Sequence, residues 1–588
     1  MPKAPRRVAD LDLSTLRRPK GHTPSPKDWT DEVLYFLLVD RFSDENSDTP
    51  LARIEDRGNA MRTEEDAARW REAGTGFVGG NLKGIRQRLD YLKRLGITAL
   101  WISPVLKQAP WSNSYHGYAT QDFLSIEPRF GSAEDLRALV DEAHAKGMRV
   151  VLDIILNHAA NVFTYEQPGP WTGEEYAVKG WNDGEGIPTI PFQKAATDHP
   201  DHAVWPQELQ DPACFHCKGG IGDWDNDPEF REGDFFDLKD FHHGEGGLED
   251  YKPSPALLAL TEVYKYWIAY ADLDGFRIDT VKHMDPGAVR YFSHAIRDFA
   301  ASLGKCDFFL VGEVTGGRGF ALDMASKTGL DAALEICGEP ALLSDAAKGE
   351  VAPEEFFALT PEGERPREAH TVSIIDDHDQ VCRGSKARFA ADPVGAKLVL
   401  PSFALNTLTL GLPCVYYGSE QGFDGHGEGD DAERYIRESM FGGEFGAFGT
   451  RGVQFFDEES PTYKGLAAIL KVRAEDPCLR RGRQYLREVS SDGEEFGLPT
   501  PGPEGPFRGI VAWSRTLDRK ETLIAINTDP ENGATAWVTV DGLIHQPSDS
   551  LRCAFCPGEG TEDVVTVEPR NGRAVRITLP PGGVAIYR

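Results

Sequence analysis

Residues 274–283 read Asp-Gly-Phe-Arg-Ile-Asp-Thr-Val-Lys-His. Apolar Phe276 and Ile278 alternate with charged residues, and this two-residue period is that of a β-strand. Arg277 and Asp279 therefore share one face. A neighbouring guanidinium lowers the pKa of a carboxyl by about 1–3 units, and an ionised carboxylate at a strand end suits a nucleophile or an electrostatic stabiliser. A purely structural ion pair is the alternative, which this stretch alone leaves open.

Apolar, β-branched runs lie on both sides of this strand, and amphipathic runs separate them. Strands buried on both faces and alternating with helices indicate a parallel sheet. Eight such units predict an α/β fold with a (β/α)₈ TIM barrel, and an open doubly wound sheet is the alternative. The predicted strands are 33–39, 98–103, 149–155, 275–279, 308–313, 329–336, 371–375 and 414–417, and the clearest helices are 82–95, 133–146, 256–270, 286–302 and 394–408.

The chain is longer than the barrel requires, and the excess falls in three places. Residues 1–30 are rich in Arg, Lys and Pro and predict a mobile basic leader. Residues 159–243 predict an inserted subdomain after the third strand, because structureless loops of that length are rare in compact domains. The barrel then takes residues 31–158 and 244–483. Short strands with turn clusters over 484–588 predict a C-terminal all-β sandwich domain.

Composition excludes several classes of partner. The 588 residues carry 63 basic and 94 acidic side chains, a net charge of −31, which opposes nucleic acid and anionic membranes but tolerates a neutral substrate. The basic start has no apolar run, so it is not a secretory signal. Prolines and polar residues interrupt the charge-free run 398–421, so it is not a membrane span. We expect a cytoplasmic enzyme, and the oligomeric state stays open.

The nine cysteines include two pairs with Cys-x-x-Cys spacing, Cys214/Cys217 and Cys553/Cys556. Four thiolates could in principle bind one zinc ion. Because the two pairs fall in different predicted domains, we expect local packing or redox-sensitive pairs instead.

Polar side chains follow most of the predicted strands, at the end where barrels of this type hold their active sites. One charged strand end is explained by a salt bridge, whereas acids and histidines after most strands indicate a functional rim. Carboxylates with single histidines suit a glycosidase better than a metal-dependent hydrolase, which would need histidines paired near bridging acids. The strand-end residues are Asp40, Arg41, Tyr115, His116, Tyr118, Asp153, Asn157, His158, Arg277, Asp279, Lys282, His283, Glu313, Asp376, Asp377, His378, Asp379, Tyr417 and Glu420.

Two of these carboxyl groups suit the complementary roles that a glycosidase needs, an ionised nucleophile and a proton donor. Asp279, held by Arg277, suits the nucleophile. Glu313 follows the apolar run 308–312, and apolar surroundings raise the pKa of a carboxyl, as a general acid requires.

Five segments, in order, resemble motifs of the α-amylase family, glycoside hydrolase family 13, and the resemblance runs from about residue 33 to residue 588. The resemblance implies retaining cleavage of α-glucosidic bonds in starch, glycogen or maltooligosaccharides through a glycosyl-aspartate intermediate. The segments are Asp153–His158, Phe236–Lys239, Gly275–His283, Val311–Val314 and Ile375–Asp379.

The resemblance also implies roles for individual side chains. Asp279 would be the nucleophile, Glu313 the acid/base, and Asp379 the group that fixes the distorted sugar. Around these three it implies substrate contacts: Arg277 orients Asp279, Tyr118 stacks on the sugar, His158 and His378 bind its hydroxyls, and Lys282 and His283 hold the departing glucan.

Three positions refine this assignment. Thr280 stands where relatives that prefer α-1,6 bonds carry Val, and the Lys282-His283 pair resembles α-amylases and cyclodextrin-forming enzymes, so α-1,4 bonds are expected. Asp377 departs from the family pattern, which has Asn there. An ionised Asp cannot donate the hydrogen bond that an amide can.

The resemblance further implies a structural calcium ion between barrel and insertion, and no organic cofactor. The matching ligands are Asn157, Asp237 and the backbone carbonyl of His283, oxygen donors of the kind calcium prefers.

Two other functions are compatible with the same barrel. A glucanotransferase or cyclising transglycosylase would use the same catalytic residues with a sugar as acceptor. An inactive sugar-binding scaffold would lack the acids, whereas Asp279, Glu313 and Asp379 are all present.

Overall fold

Eight parallel strands form a closed barrel at the centre of the computed structural model. Their order in the sheet is β6-β5-β4-β3-β2-β1-β8-β7, and a parallel bridge between Ala333 and Thr371 joins its two ends. The predicted TIM barrel is therefore confirmed over the open sheet. In chain order the strands are β1 (Leu34–Leu37), β2 (Ala99–Ile102), β3 (Arg149–Ile154), β4 (Gly275–Ile278), β5 (Phe309–Glu313), β6 (Ala332–Leu334), β7 (Val372–Ser373) and β8 (Leu412–Tyr416). The structure describes residues 5–16, 18, 21–46, 48–52, 56–196, 199–334, 336, 338–357, 371–380, 386–427, 433–503, 505–558 and 560–588.

Helices cover the outer face of the barrel. The predicted helix after β2 begins with a capping box, in which the Ser132 hydroxyl accepts from the amide of Asp135 while the Asp135 carboxylate accepts from the amide of Ser132. In the described part of the chain, no helix combines the length and apolar character needed to cross a membrane. The α-helices are Val39–Phe42, Glu64–Ala73, Leu82–Gln87, Leu89–Leu95, Ala133–Ala145, Glu229–Glu232, Pro255–Ala271, Pro286–Ser302, Arg318–Thr328, Gly338–Ala347, Pro353–Phe357, Pro393–Lys397, Val399–Leu408, Glu433–Ile436, Pro461–Glu475 and Pro477–Arg481.

The inserted segment is attached to the rim of the barrel by a short antiparallel pair. His158–Ala159, just after β3, pairs with Lys239–Asp240 at the end of the insertion. Between them, Phe163–Tyr165, Val178–Asn182 and Pro188–Ile190 form a three-stranded antiparallel sheet. Because the insertion leaves and rejoins the barrel at one place, it stands over the ends of the strands that carry the predicted site.

The C-terminal region consists of two antiparallel sheets, as expected. The larger contains Arg483–Leu486, Ile510–Leu517, Lys520–Asn527, Val584–Tyr587, Ser550–Phe555 and Val564–Thr566, and the smaller contains Val489–Ser490, Ala534–Thr539 and Ala574–Leu579.

The two Cys-x-x-Cys pairs behave differently. Cys553 and Cys556 form a disulfide within the C-terminal region, whereas Cys214 and Cys217 are buried free thiols in the insertion. Because Cys553 and Cys556 are bonded to each other, they have no thiolate to offer a metal, so a zinc site shared with Cys214 and Cys217 is excluded.

The described residues of the leader contact both the insertion and the barrel, whereas a mobile segment was predicted. The guanidinium of Arg6 lies 4.5 Å from the centre of the Trp205 ring. The amide of Thr23 donates to the carboxylate of Asp272 at 3.0 Å. Trp29 is buried, 6% exposed. A low apolar content made this segment resemble solvated chain, and backbone hydrogen bonds and one cation–π contact hold it instead.

Candidate active site

At the end of β4, Arg277 binds three carboxylates inside the barrel. Its Nη1 donates to Oδ1 of Asp153 at 3.0 Å and to Oδ1 of Asp279 at 2.6 Å. Its Nη2 lies 2.7 Å from Oε2 of Glu313. The arginine is 0% exposed, so these charges meet without screening by water. Because the register pairs Arg277 with Asp153 of β3 and Val311 of β5, neighbouring strands deliver all three acids to one guanidinium.

Asp279 and Glu313 differ in proton affinity, as their predicted roles require. Burial raises the pKa of Asp279 to about 6, although Arg277 lowers it. Burial raises the pKa of Glu313 to about 8. The negative charges of Asp279 and Asp379 raise it as well, whereas Arg277 lowers it. The expectation of a low pKa for Asp279 is thus wrong, because loss of water outweighs the arginine. At neutral pH the order still leaves Asp279 ionised and Glu313 protonated.

A second arginine holds the third carboxylate. Nη2 of Arg437 donates to Oδ1 of Asp379 at 2.7 Å, and Nε of Arg437 donates to the carbonyl oxygen of His378 at 2.8 Å. Nε2 of His378 lies 3.3 Å from Oδ2 of Asp379. Asp379 therefore has its own cation and does not compete for Arg277.

Asp377 accepts hydrogen bonds from the backbone that follows it. Its Oδ1 accepts from the amide of Asp379 at 2.6 Å and from the amide of Gln380 at 2.7 Å. A carboxylate serves this turn as well as an asparagine oxygen does. The departure from the family pattern therefore preserves the local backbone.

Tyr118 and His158 lie together beside this cluster. The Tyr118 hydroxyl donates to Oδ2 of Asp153 at 2.9 Å, and its ring stacks on His378 with centroids 5.3 Å apart. Nε2 of His158 lies 3.3 Å from the carbonyl oxygen of Tyr118. The predicted sugar-facing residues are thus brought to the same end of the barrel as the acids.

On the other side of Glu313, the chain after β4 meets the insertion. Lys282 Nζ donates to Oδ1 of Asp225 at 2.7 Å, and Nδ1 of His283 lies 2.6 Å from the carbonyl oxygen of Phe230. Trp224 meets the His283 ring edge-on at 5.7 Å and lies 5.4 Å from Phe236, which is 74% exposed. Lys282 and His283 therefore pack against polar and aromatic residues of the insertion.

The predicted calcium ligands are only partly brought together. Asn157 is buried, but Asp237 is exposed in the turn after Phe236. The carboxyl that interacts with Asn157 is that of Asp240, which strand pairing places opposite His158. The ligand set Asn157, Asp237 and the carbonyl of His283 stays a prediction, and the structure adds Asp240 as a second candidate carboxylate.

The side chains beside Asn157 fit a cation in part. Oδ1 of Asn157 and Oδ1 of Asp240 are buried without a hydrogen-bond partner. Burial and the charges of Asp234, Asp285 and Glu232 raise the pKa of Asp240 well above its usual range. A bound cation would stabilise the ionised form of this carboxyl. Among the described residues, no cluster of three or more His, Cys, Asp or Glu side chains could hold a metal. Backbone carbonyls and water would have to complete the shell.

Two strand-end acids are structural. Asp40 after β1 accepts from the amides of Val78 and Gly79. Glu420 after β8 accepts from the hydroxyls of Tyr35 and Tyr91 and is fully buried. Fewer strand ends therefore contribute to the candidate site than the sequence predicted.

Two residues that contact the catalytic acids were given no role from the sequence. Asp153 stood among the strand-end acids without a role, and its pairing register with Arg277 was the available signal. Arg437 carried no such signal, because it follows the short helix Glu433–Ile436 rather than a strand.

Several known proteins are similar in sequence to this chain. A family model, the catalytic domain of alpha amylase, matches residues 36–490. The alpha-amylase of Streptomyces lividans is 30% identical over 519 residues, a match covering 79% of this chain and 52% of that protein. The cyclomaltodextrin glucanotransferase of Klebsiella oxytoca is 25% identical over 506 residues, covering 79% and 68%. The chain thus spans about half the length of the Streptomyces relative.

Solved structures share the fold. The alpha-amylase from Geobacillus thermoleovorans, complexed with acarbose, superposes with a TM-score of 0.63 at 23% identity, covering 96% of this chain and 99% of that one. The cyclomaltodextrin glucanotransferase CldA, which has three domains, gives 0.66 at 22% identity, covering 95% and 98%. At these identities the likeness concerns the fold alone.

Proposed function

Because this chain belongs to the α-amylase family, we propose that it hydrolyses α-1,4-glucosidic bonds of starch, glycogen or maltooligosaccharides with retention of anomeric configuration. The substrate is then a neutral polymer, which a chain of net charge −31 does not repel.

The observation that carries this proposal is the sharing of Arg277 by Asp279 and Glu313. Their oxygens lie 2.6 Å and 2.7 Å from the two terminal nitrogens of one guanidinium. The two side chains are also hydrogen-bonded to each other. Carboxyl groups in direct contact are closer than the roughly 6.5–9.5 Å of inverting enzymes, which leave space for a water, so the pair favours the retaining arrangement of ~5–5.5 Å.

The chemistry follows from the two proton affinities. Glu313 donates its proton to the glycosidic oxygen while the Asp279 carboxylate attacks C1, so the C1–O bond breaks and a glycosyl-aspartate ester forms. Glu313, now ionised, removes a proton from water, whose oxygen attacks C1 and releases Asp279. Asp379 would hold the hydroxyls of the distorted ring, and Tyr118 would support its face.

The preference for α-1,4 bonds rests on the residues after the nucleophile. Thr280 is small and polar, whereas relatives that prefer α-1,6 bonds carry Val at this position. Lys282 and His283, which contact Asp225 and Phe230 of the insertion, would hold the departing part of a linear glucan.

Glycosyl transfer is the second candidate, and Phe236 favours it. This ring is 74% exposed beside Trp224, on the side of the site where Lys282 lies. Sugar rings pack on aromatic faces, which bury a large apolar area. An acceptor sugar covering Phe236 would reach the glycosyl-aspartate in place of water.

We also propose a structural Ca²⁺ between barrel and insertion, held by Asn157 and Asp240. When bound, the ion would supply positive charge to an acidic pocket and tie the two segments together. No step of the reaction passes through it.

The product profile tests the proposal. Purified protein is incubated with soluble starch and with maltotetraose, and the products are separated by chromatography. Hydrolysis predicts shorter chains with rising reducing ends, whereas longer or cyclic products indicate transfer. No turnover of any α-glucan contradicts both. Phe236→Ala is expected to lower the ratio of transfer to hydrolysis, and an unchanged ratio removes the support that Phe236 gives to transfer.

A further inference from the structure

Arg437 contacts the proposed active site from outside the barrel strands. It follows the helix Glu433–Ile436, and the carbonyl oxygen of Ile436 accepts from Arg388 at 2.8 Å and from the Tyr416 hydroxyl at 3.1 Å. These bonds fasten the short helix to β8. Arg437 is 9% exposed, so its guanidinium is a built-in part of the site.

The guanidinium of Arg437 makes three directed contacts. Besides Oδ1 of Asp379 and the carbonyl oxygen of His378, its Nη1 lies 3.5 Å from the Tyr115 hydroxyl. The Tyr115 ring in turn lies under the Arg41 guanidinium, 3.8 Å from it. Contacts on three sides fix the orientation of the guanidinium, and Arg437 thereby fixes the plane of the Asp379 carboxylate.

Among the described residues, Arg437 is the cation that hydrogen-bonds Asp379. Arg277 is occupied by Asp153, Asp279 and Glu313. Burial lowers the pKa of His378 to about 3, so this ring is neutral at neutral pH and contributes no full charge. The titratable and charged groups that face Asp379 are His378, Arg437, Arg277, Lys386, His116, Tyr118, Glu313 and Asp377.

We propose that Arg437 is the positioning residue of Asp379, holding Oδ1 of that carboxylate so that Oδ2, beside His378, meets the hydroxyls of the distorted sugar in the transition state. This inference rests on the proposed function, because it assigns the role of Asp379 from it. Arg437 does not touch the reacting atoms. It acts through the carboxylate that does.

The expected consequence is a loss in kcat rather than in KM. A carboxylate misplaced by about 1 Å costs roughly 10²-fold in rate. Because the contact forms fully only on the distorted ring, substrate binding before reaction changes little. Acarbose resembles the distorted state in charge and shape, so its binding should weaken along with kcat.

The experiment compares variants of the full-length protein on maltotetraose. Arg437→Met is expected to lower kcat roughly 10²-fold with little change in KM, and to weaken acarbose inhibition in parallel. Arg437→Lys keeps the charge and is expected to recover part of kcat. Arg434→Met is the matched control, because Arg434 lies in the same short helix and its Nη1 donates to the carbonyl oxygen of Arg71.

Circular dichroism and thermal melting report whether each variant folds. If Arg437→Met unfolds, added guanidinium ion should still restore activity to Arg437→Ala, because the missing group is supplied from solution. The inference is overturned by an unchanged kcat in Arg437→Met, by a loss confined to KM, by an equal loss in Arg434→Met, or by failure of both the lysine variant and guanidinium to rescue. Failure of the proposed function itself looks different, since the wild-type protein would then turn over no α-glucan.

Discussion

The backbone amide of Thr280 donates a hydrogen bond of 3.0 Å to Oε2 of Glu313. Thr280 adopts a left-handed conformation, with φ 48°, which a threonine holds at a cost of about 1–3 kcal/mol. Oε2 also lies 2.7 Å from Nη2 of Arg277, so two donors hold one oxygen of the acid. We therefore expect the transferable proton on Oε1. The residue after the nucleophile thus orients the acid/base.

Glu313→Gln tests the acid. The amide keeps the volume but has no proton to give, so kcat on maltotetraose should fall by roughly 10²–10⁴-fold while the melting temperature changes little. Glu420→Gln is the matched control, because that acid is also buried at a strand end but binds Tyr35 and Tyr91 instead. Substantial activity in Glu313→Gln, or equal losses in both variants, would refute the assignment.

The pH profile tests the order of the two proton affinities. With the pKa of Asp279 raised to about 6 and that of Glu313 raised to about 8, kcat/KM should be bell-shaped. Activity falls below the lower value because Asp279 takes up a proton and cannot attack. It falls above the higher value because Glu313 loses the proton it must donate. The two limbs belong to the coupled pair. A profile without a basic limb contradicts Glu313 as the proton donor.

Arg277→Met tests the shared cation. The change leaves Asp153, Asp279 and Glu313 buried without their partner, and breaking a buried pair costs about 3–5 kcal/mol in the free energy of unfolding. Burial raises the pKa of Asp153 to about 6 and that of Asp279 likewise. The destabilisation should therefore be small below these values, where both carboxyls are protonated with or without Arg277, and should grow as the pH rises above them. Urea unfolding at several pH values measures it, and a pH-independent loss would contradict this account.

Calcium removal tests the proposed ion and distinguishes Asp240 from Asp237 as its ligand. Adding Ca²⁺ after chelation should raise the melting temperature, because binding stabilises by ~2.7 kcal/mol at 100 times the Kd. Asp240→Asn should weaken this response, whereas Asp237→Asn, at an exposed carboxylate, should retain it. The opposite result would restore the ligand inferred from the sequence. No response to calcium in the wild-type protein would refute the site.

The barrel and its central cluster could be predicted from sequence because both depend on the order of residues within single strands and helices. The run 149–155 was predicted to be a strand, and Arg149–Ile154 is one. The two-residue period at Arg277 and Asp279 correctly placed both side chains on one face. Strand order in a parallel barrel then brings Glu313 beside them.

What could not be predicted depends on contacts between distant parts of the chain. Arg437 reaches Asp379 from a short helix after β8, and no periodicity marks that approach. Asp237 is exposed whereas Asp240, three residues later, is buried beside Asn157, and a motif match does not show which carboxylate the fold buries. Desolvation of Asp279 reverses the direction of its pKa shift, because burial depends on the whole barrel and not on Arg277 alone.

The most direct test of the central claim is to trap the glycosyl-enzyme. A fluorinated maltosyl fluoride that slows hydrolysis of the ester is mixed with the protein, and the digested product is analysed by mass spectrometry. We predict one added glycosyl group, carried by the peptide that contains Asp279 and located on that side chain, with no adduct in Asp279→Asn. A stable adduct on another residue, or turnover that releases the inverted anomer with no adduct, would contradict a retaining mechanism at Asp279.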